Sequence, residues 1–258
     1  MKITITLLTT ALLSSSLFGQ KKQSDSFDAH AKYYADAFDV EWTLPEGMVD
    51  LDTREFITVR QGYRLVNSAV PVLRSQDGKF VLMYNSDPLF VSDEMAKFYE
   101  ESKALTRKVQ GPQAPDAIGP ARNNDNAHRL RISSELGTVY GYCDELARPL
   151  PGKTFPFDEY VSVLPEKTAR KWFNADSVFV YDLPVDDPFQ SIYNHCTGVV
   201  ITRKDKTSFV LKLYFTDKGK KNEKRYFRSL RKTIWYRDTD WKYDREIDKQ
   251  AEREHLEL

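Results

Sequence analysis

The sequence predicts an α+β protein: an antiparallel β-sheet built from hairpins and packed by α-helices. Two segments fold back on themselves about short turns, "SAVPVLRSQDGKFVLMY" and the run from Val199 to Phe215. Several others space their apolar residues at helical intervals. Strands and helices do not alternate regularly, which points away from parallel βαβ units and toward hairpins covered by helices.

In chain order, "MKITITLLTTALLSSSLFGQ" joins Lys2 to the apolar run Ile3–Leu13 and a small, serine-rich end. That is the layout of a secretory signal peptide, residues 1–20, with cleavage expected near Gly19 or Gln20 and a periplasmic or secreted product. With no cysteine at the cleavage point, no lipid anchor is expected. Residues 21–37 read as a polar leader, residues 38–237 as one α+β domain, and residues 238–258 as a charged C-terminal tail.

Within the domain, "FDVEWTLPEG" alternates Val40, Trp42 and Leu44 and stops at Pro45 and Gly47, a strand. Asp77–Gly78 is a tight-turn dipeptide that accepts positive φ between β-prone flanks, the clearest hairpin signal. "SDEMAKFYEESKALTRKV" returns Met95, Phe98, Leu105 and Val109 at helical spacing. Residues 110–126, rich in Pro, Gly, Asn and Asp, form an irregular loop. "AHRLRISSELGTVYGY" reads as a short helix leading into a strand near Val139 and Tyr140.

"PEKTARKWFNAD" reads as a helix with Trp172 and Phe173 inward, and "SVFVYDLPV" as a strand. The hairpin Val199–Arg203/Phe209–Phe215 turns at "KDKT", with Phe209, Leu211, Leu213 and Phe215 on one face. A last helix, capped by Asn222, carries Tyr226, Phe227, Leu230 and Ile234 as an apolar stripe.

Charge and motifs exclude several functions. The chain has 38 basic and 38 acidic residues, and this balance lacks the basic footprint that nucleic-acid binding requires. No apolar stretch after the signal reaches membrane length, so no transmembrane segment is expected. Glycine-rich phosphate loops, a GxSxG elbow, CxxC and HExxH are absent, and no cofactor is expected. The acidic "DLPVDDPF", with Asp182, Asp186 and Asp187, lacks the spacing and glycine of a calcium loop and reads as solvated, leaving no metal site.

Only two cysteines occur, Cys143 and Cys196. In an oxidising compartment they are expected to pair as a disulfide. His195 adjoins Cys196, but strand neighbours point to opposite faces and cannot form a thiolate–imidazolium pair. A Cys/His hydrolase would have to draw on His30, His128, His195 or His255 from elsewhere. Lys220, Lys221, Lys224, Arg225, Arg228, Arg231 and Lys232 concentrate positive charge on and beside the last helix. This stripe is either a patch for an anionic partner or a solvated helix face.

The signal ending "LFGQ", the phrase "NADSVFVYDLP", and the stretch from Cys196 through Val199–Ile201 and Phe215–Gly219 to Tyr226, Leu230, Ile234 and Tyr236 resemble exported proteins of uncharacterised function from Bacteroidetes-type bacteria. "FDVEWTLPEG" resembles the first strand of PsbP-like α/β/α sandwich domains. The second resemblance implies an antiparallel sheet between helices, serving binding or assembly; neither transfers a functional residue. The expectation is therefore a soluble, non-catalytic binding or assembly module whose partner is a protein or small ligand of the cell envelope. The alternatives are a hydrolase with a non-standard Cys/His site and an anionic-surface binder using the basic helix.

Overall fold

The computed structural model describes residues 26–52, 71–85, 125–144, 148–185, 192–204, 206–237 and 240–256, the backbone of 55–60 and 63–68, and isolated positions between 101 and 111. The signal segment, most of the 92–109 helix, most of the 110–126 loop, and Asp186 and Asp187 lie outside the described residues. Of the 92–109 segment, the described positions 101, 104–105 and 107–109 are helical, with Leu105 and Val109 exposed.

The α+β expectation holds. Among the described residues, seven antiparallel strands form the central sheet in the order β2 (Met48–Asp50), β5 (Val72–Ser75), β6 (Phe80–Asn85), β10 (Phe209–Phe215), β9 (His195–Thr202), β8 (Ser177–Pro184), β7 (Val161–Val163). A separate hairpin pairs β3 (Glu55–Arg60) with β4 (Tyr63–Ser68), and a short ribbon pairs β1 (Val40–Trp42) with β11 (Ile234–Tyr236). The Asp77–Gly78 turn connects β5 to β6, with Gly78 at φ 67° as its role requires.

Side chains alternate along each strand, so the sheet has two packed faces. The front face buries Phe80, Leu82, Val199, Leu211, Leu213 and Phe215 in the main core. It is covered by α1 (Phe27–Phe38), α4 (Glu166–Phe173), α6 (Glu223–Ser229) and the β1–β11 ribbon. The back face buries Phe179, Val200 and Val210 against Ile132 and Leu136 of α2 (Asp125–Val139). Beside them Val81, Met83, Cys196 and Tyr214 form a smaller back-face cluster. The central strand β10 is thus buried on both sides, not on the Phe209–Phe215 face alone.

Several local readings are corrected. The segment taken as polar leader supplies α1 from residue 27 onward. Its Phe27, His30, Tyr34, Ala37 and Phe38 recur at helical spacing and are buried, and Ser26 caps it by accepting from the Ala29 N–H at 3.3 Å. Leu44 lies beyond β1 and is exposed. Val139 ends α2, and Tyr140 and Gly141 turn the chain where a strand was expected.

The last predicted helix is shorter than its apolar stripe. It ends at Ser229, its first residue receives no side-chain cap from Asn222, and Ile234 lies in β11 opposite Trp42. The charged tail contains α7 (Arg245–His255), which docks on α1. There Tyr33 donates to Asp248 at 2.7 Å, His255 meets Asp36 at 2.7 Å, and Ala251 and Leu256 are buried. Among the described residues, no helix is long and apolar enough to cross a membrane.

Candidate functional site

The site is built where the front face of the sheet meets the start of α6. Thr216 accepts the Gly219 N–H at 3.0 Å, capping the one-turn helix α5 (Asp217–Lys220). Gly219 packs directly on the β5–β6 turn: a Cβ at this position would overlap the Lys79 carbonyl oxygen. This close approach turns Lys220 back over the sheet, where its ammonium donates to Asp182 at 2.7 Å, Thr197 at 3.0 Å and Glu223 at 3.0 Å. Thr197 also donates to Asp182 at 3.1 Å and bonds Glu223. Burial alone would pull the Lys220 ammonium down, but hydrogen bonds to Asp182 and Glu223 outweigh it and hold the group above the ordinary lysine range.

Beside this network lies a half-open cleft of about 270 Å³. Its floor crosses four adjacent strands through Ser162, Val180, Thr197 and Leu213, a width of roughly 14 Å at normal strand spacing. Glu223, Lys224 and Phe227 of α6 form one wall, and Tyr160, at the end of α3 (Phe157–Tyr160), lines it too. Trp172 backs Phe227 with ring centroids 5.7 Å apart, and the Arg231 guanidinium lies 3.8 Å over Trp172.

The sequence-predicted site residues fall differently from expectation. Cys143 and Cys196 are both unpaired thiols, so the predicted disulfide is not formed. Cys143 follows α2 and seats its sulfur against Gly137, at a position where a Cβ on that glycine would crowd it. Cys196 is buried on the back face between Tyr214 and Leu183, its registry partners on the two flanking strands. An oxidising compartment favours pairing only when the two α-carbons can approach, and that was an assumption about geometry. Burial pushes the Cys196 thiol up to about 12.

His195 points to the opposite side from Cys196 and meets Asp217 at 2.9 Å, with Asn194 donating to the same carboxylate oxygen at 3.0 Å. These contacts hold the Asp217 carboxyl below its usual range. The other histidines are committed elsewhere: His128 bonds buried Ser208 at 2.9 Å, His255 bonds Asp36, and His30 is buried on α1. None of these contacts is with a cysteine.

The basic stripe is divided. Lys220 is turned inward to carboxylates, whereas Lys221, Lys224, Arg225, Arg228, Arg231 and Lys232 are exposed, Lys224 also lining the cleft and Arg231 covering Trp172. Asp182, considered above as part of an acidic loop, belongs to the Lys220 network. Among the described residues, no cluster of three or more His, Cys, Asp or Glu is placed to hold a metal. Thr197, Glu223 and Tyr160 carried no sequence signal of their own, because their role exists only after three distant segments meet. No protein-family model matches the chain, and no curated protein matches it.

Proposed function

We propose that the protein is a non-catalytic binding module of the cell envelope that takes a small ligand in the cleft over Lys220. The observation that supports this best is the state of the polar groups there. Lys220 is held by two carboxylates and a hydroxyl, and its ammonium is stabilised. A nucleophilic or basic lysine needs the reverse, an environment that favours the free amine. The cleft therefore offers fixed hydrogen-bonding groups beside the apolar side chains of Val180, Leu213 and Phe227, the composition of a recognition pocket.

The Cys/His hydrolase reading finds little chemistry to use, since the Cys196 thiol is buried and protonated and the histidines are engaged elsewhere. The anionic-surface reading keeps one favourable observation, the exposure of Lys221, Lys224, Arg225, Arg228, Arg231 and Lys232. Co-sedimentation with anionic vesicles addresses it, and loss of binding at high salt is its signature. Export follows from the signal-like N-terminus, and the intact mass of the protein from an envelope fraction tests cleavage near Gly19 or Gln20.

Thermal-shift screening of the mature protein against small polar metabolites tests the binding reading. A compound at about 100 times its Kd should stabilise the fold by roughly 2.7 kcal/mol, on the order of 5–11 °C for this size. The same compound should not stabilise Phe227→Ala. A broad screen in which nothing raises the melting temperature counts against the cleft as a binding site.

A further inference from the structure

The chemistry of the cleft narrows what it can hold, given the binding reading above. Lys220 has three donors and uses them on Asp182, Thr197 and Glu223. The network therefore presents the remaining lone pairs of two fixed carboxylates, and a ligand must bring O–H or N–H donors to them. The four charged side chains around the cleft, Asp182 and Glu223 against Lys220 and Lys224, cancel. The cleft therefore carries no net charge to draw an anion or a cation in from a distance.

The apolar part of the lining combines the aliphatic Val180 and Leu213 of the floor with aromatic rings at its sides. Tyr160 and Phe227 line the cleft, and Tyr160 continues into a half-exposed strip outside it. Its ring centroid lies 4.5 Å from that of Tyr140 and 5.2 Å from that of Phe155, which in turn contacts Tyr142 at 5.6 Å. Tyr140 is 38% exposed. Aromatic faces beside acceptor oxygens suit a ligand whose rings have C–H faces and hydroxyl edges. The cavity volume lies just below the range of about 300–1,000 Å³ used by drug-sized ligands, which fits one ring.

We infer that the cleft binds a neutral saccharide, with one sugar ring donating hydroxyls to Asp182 and Glu223 while adjoining units of the chain run along Tyr160 and Tyr140. The carboxylates fix the ring that enters, and the aromatic strip favours a chain over a single sugar.

The test is saturation-transfer NMR and calorimetric titration of the mature protein with malto-, cello-, xylo-, manno- and chito-hexaoses. Glutamate, spermidine and inorganic phosphate serve as charged probes. At least one neutral hexaose should bind, with affinity falling tenfold or more in Tyr160→Ala and in Glu223→Gln. Tyr140→Ala, an exposed position that leaves the fold intact, should weaken the hexaose more than the matching monosaccharide. Near-UV circular dichroism checks that each variant is folded.

Binding of charged probes alone, or hexaose binding unaffected in folded Tyr160→Ala and Glu223→Gln, overturns the saccharide assignment. A non-saccharide captured in the cleft also overturns it but keeps the binding function. No binding by any probe in either screen ends both. Shortening of a bound hexaose keeps the saccharide and overturns the non-catalytic reading.

Discussion

Two lysines on opposite faces of one sheet hold carboxylates in opposite ways. Lys212, on the back face of β10, has a side chain only 7% exposed; it bonds Glu135 of α2 at 2.5 Å and the Tyr181 hydroxyl at 3.3 Å. Tyr181 donates to the same carboxylate at 2.9 Å, and Gly198 leaves room for its ring, which would clash with a Cβ there. Lys220, on the front, is 26% exposed, and its partner Asp182 is 72% exposed beside an open cleft. The groups are nearly the same, but the surroundings differ. Behind α2 the Lys212 ammonium is buried between Glu135 and the Tyr181 hydroxyl, with no cleft beside it, and the network fixes α2 to the sheet. Over the front edge, similar groups stay in reach of solvent and can exchange water for a ligand.

The sharpest way to break this comparison is to remove one partner on each side. Glu135→Leu leaves the buried Lys212 ammonium uncompensated, which should cost about 3 kcal/mol. For a chain of this size that is a fall of roughly 6–12 °C in melting temperature. Adding Lys212→Met should recover most of it, because a packed apolar pair replaces the ion pair. Calorimetric melts of the single and double variants decide; an unchanged Glu135→Leu melt would mean that the Lys212 contact contributes no stability.

On the open side the consequence should be functional. Lys220→Met removes a half-exposed pair worth at most about 1 kcal/mol of stability, but it frees Asp182 and Glu223 to repel each other at the cleft. Titration should show hexaose affinity reduced tenfold or more, with the melt shifted by only a few degrees. A large stability loss with affinity retained would reverse the roles assigned to the two lysines.

Asp77 lies between these extremes. Burial raises its carboxyl, but hydrogen bonds from Ser75, Tyr226 and Lys79 outweigh this and hold it well below the usual range. A carboxyl lowered in the folded state adds stability above the unfolded value near 4 and loses it as pH falls through the folded value. With its side chain 40% exposed, Asp77→Asn should cost about 1 kcal/mol at neutral pH. The gap to the parent should narrow steadily below about pH 4. Melts from pH 2 to 7 check both the size and the slope.

The smallest expected effect is on the thiols. Cys196, buried and with its thiol near 12, should react with a disulfide reagent at pH 8 only after denaturation, whereas Cys143, half-buried, should react in the native state. Reductant should leave the melting temperature unchanged. A melt that drops on reduction would restore the disulfide.

Much of the framework was legible because it is local. The Asp77–Gly78 turn, the strands Ser177–Pro184 and Phe209–Phe215, and the helix at Glu166–Phe173 follow from turn chemistry and periodicity. The errors came where a distant partner decides. Ile234 continues a helical stripe in sequence but pairs with Trp42 across the β1–β11 ribbon. Phe27, Tyr34 and Phe38 were a visible stripe, hidden by the polar stretch before it. The cysteine pairing rested on compartment, whereas position in the fold separates the two thiols. The cleft was illegible, since Tyr160, Thr197 and Glu223 become a site only when α3, β9 and α6 are brought together.

The central claim is that the cleft over Lys220 is the binding site and the Lys212–Glu135 contact under α2 is structural. Backbone amide chemical shifts, followed while the hexaoses are titrated into labelled mature protein, test it directly. The account predicts perturbations concentrated at Tyr140, Tyr160–Ser162, Asp182, Thr197 and Lys220–Phe227, with Ile132–Leu136 of α2 and Lys212 unmoved. Perturbations centred on α2 and Lys212, with the cleft silent, would contradict it.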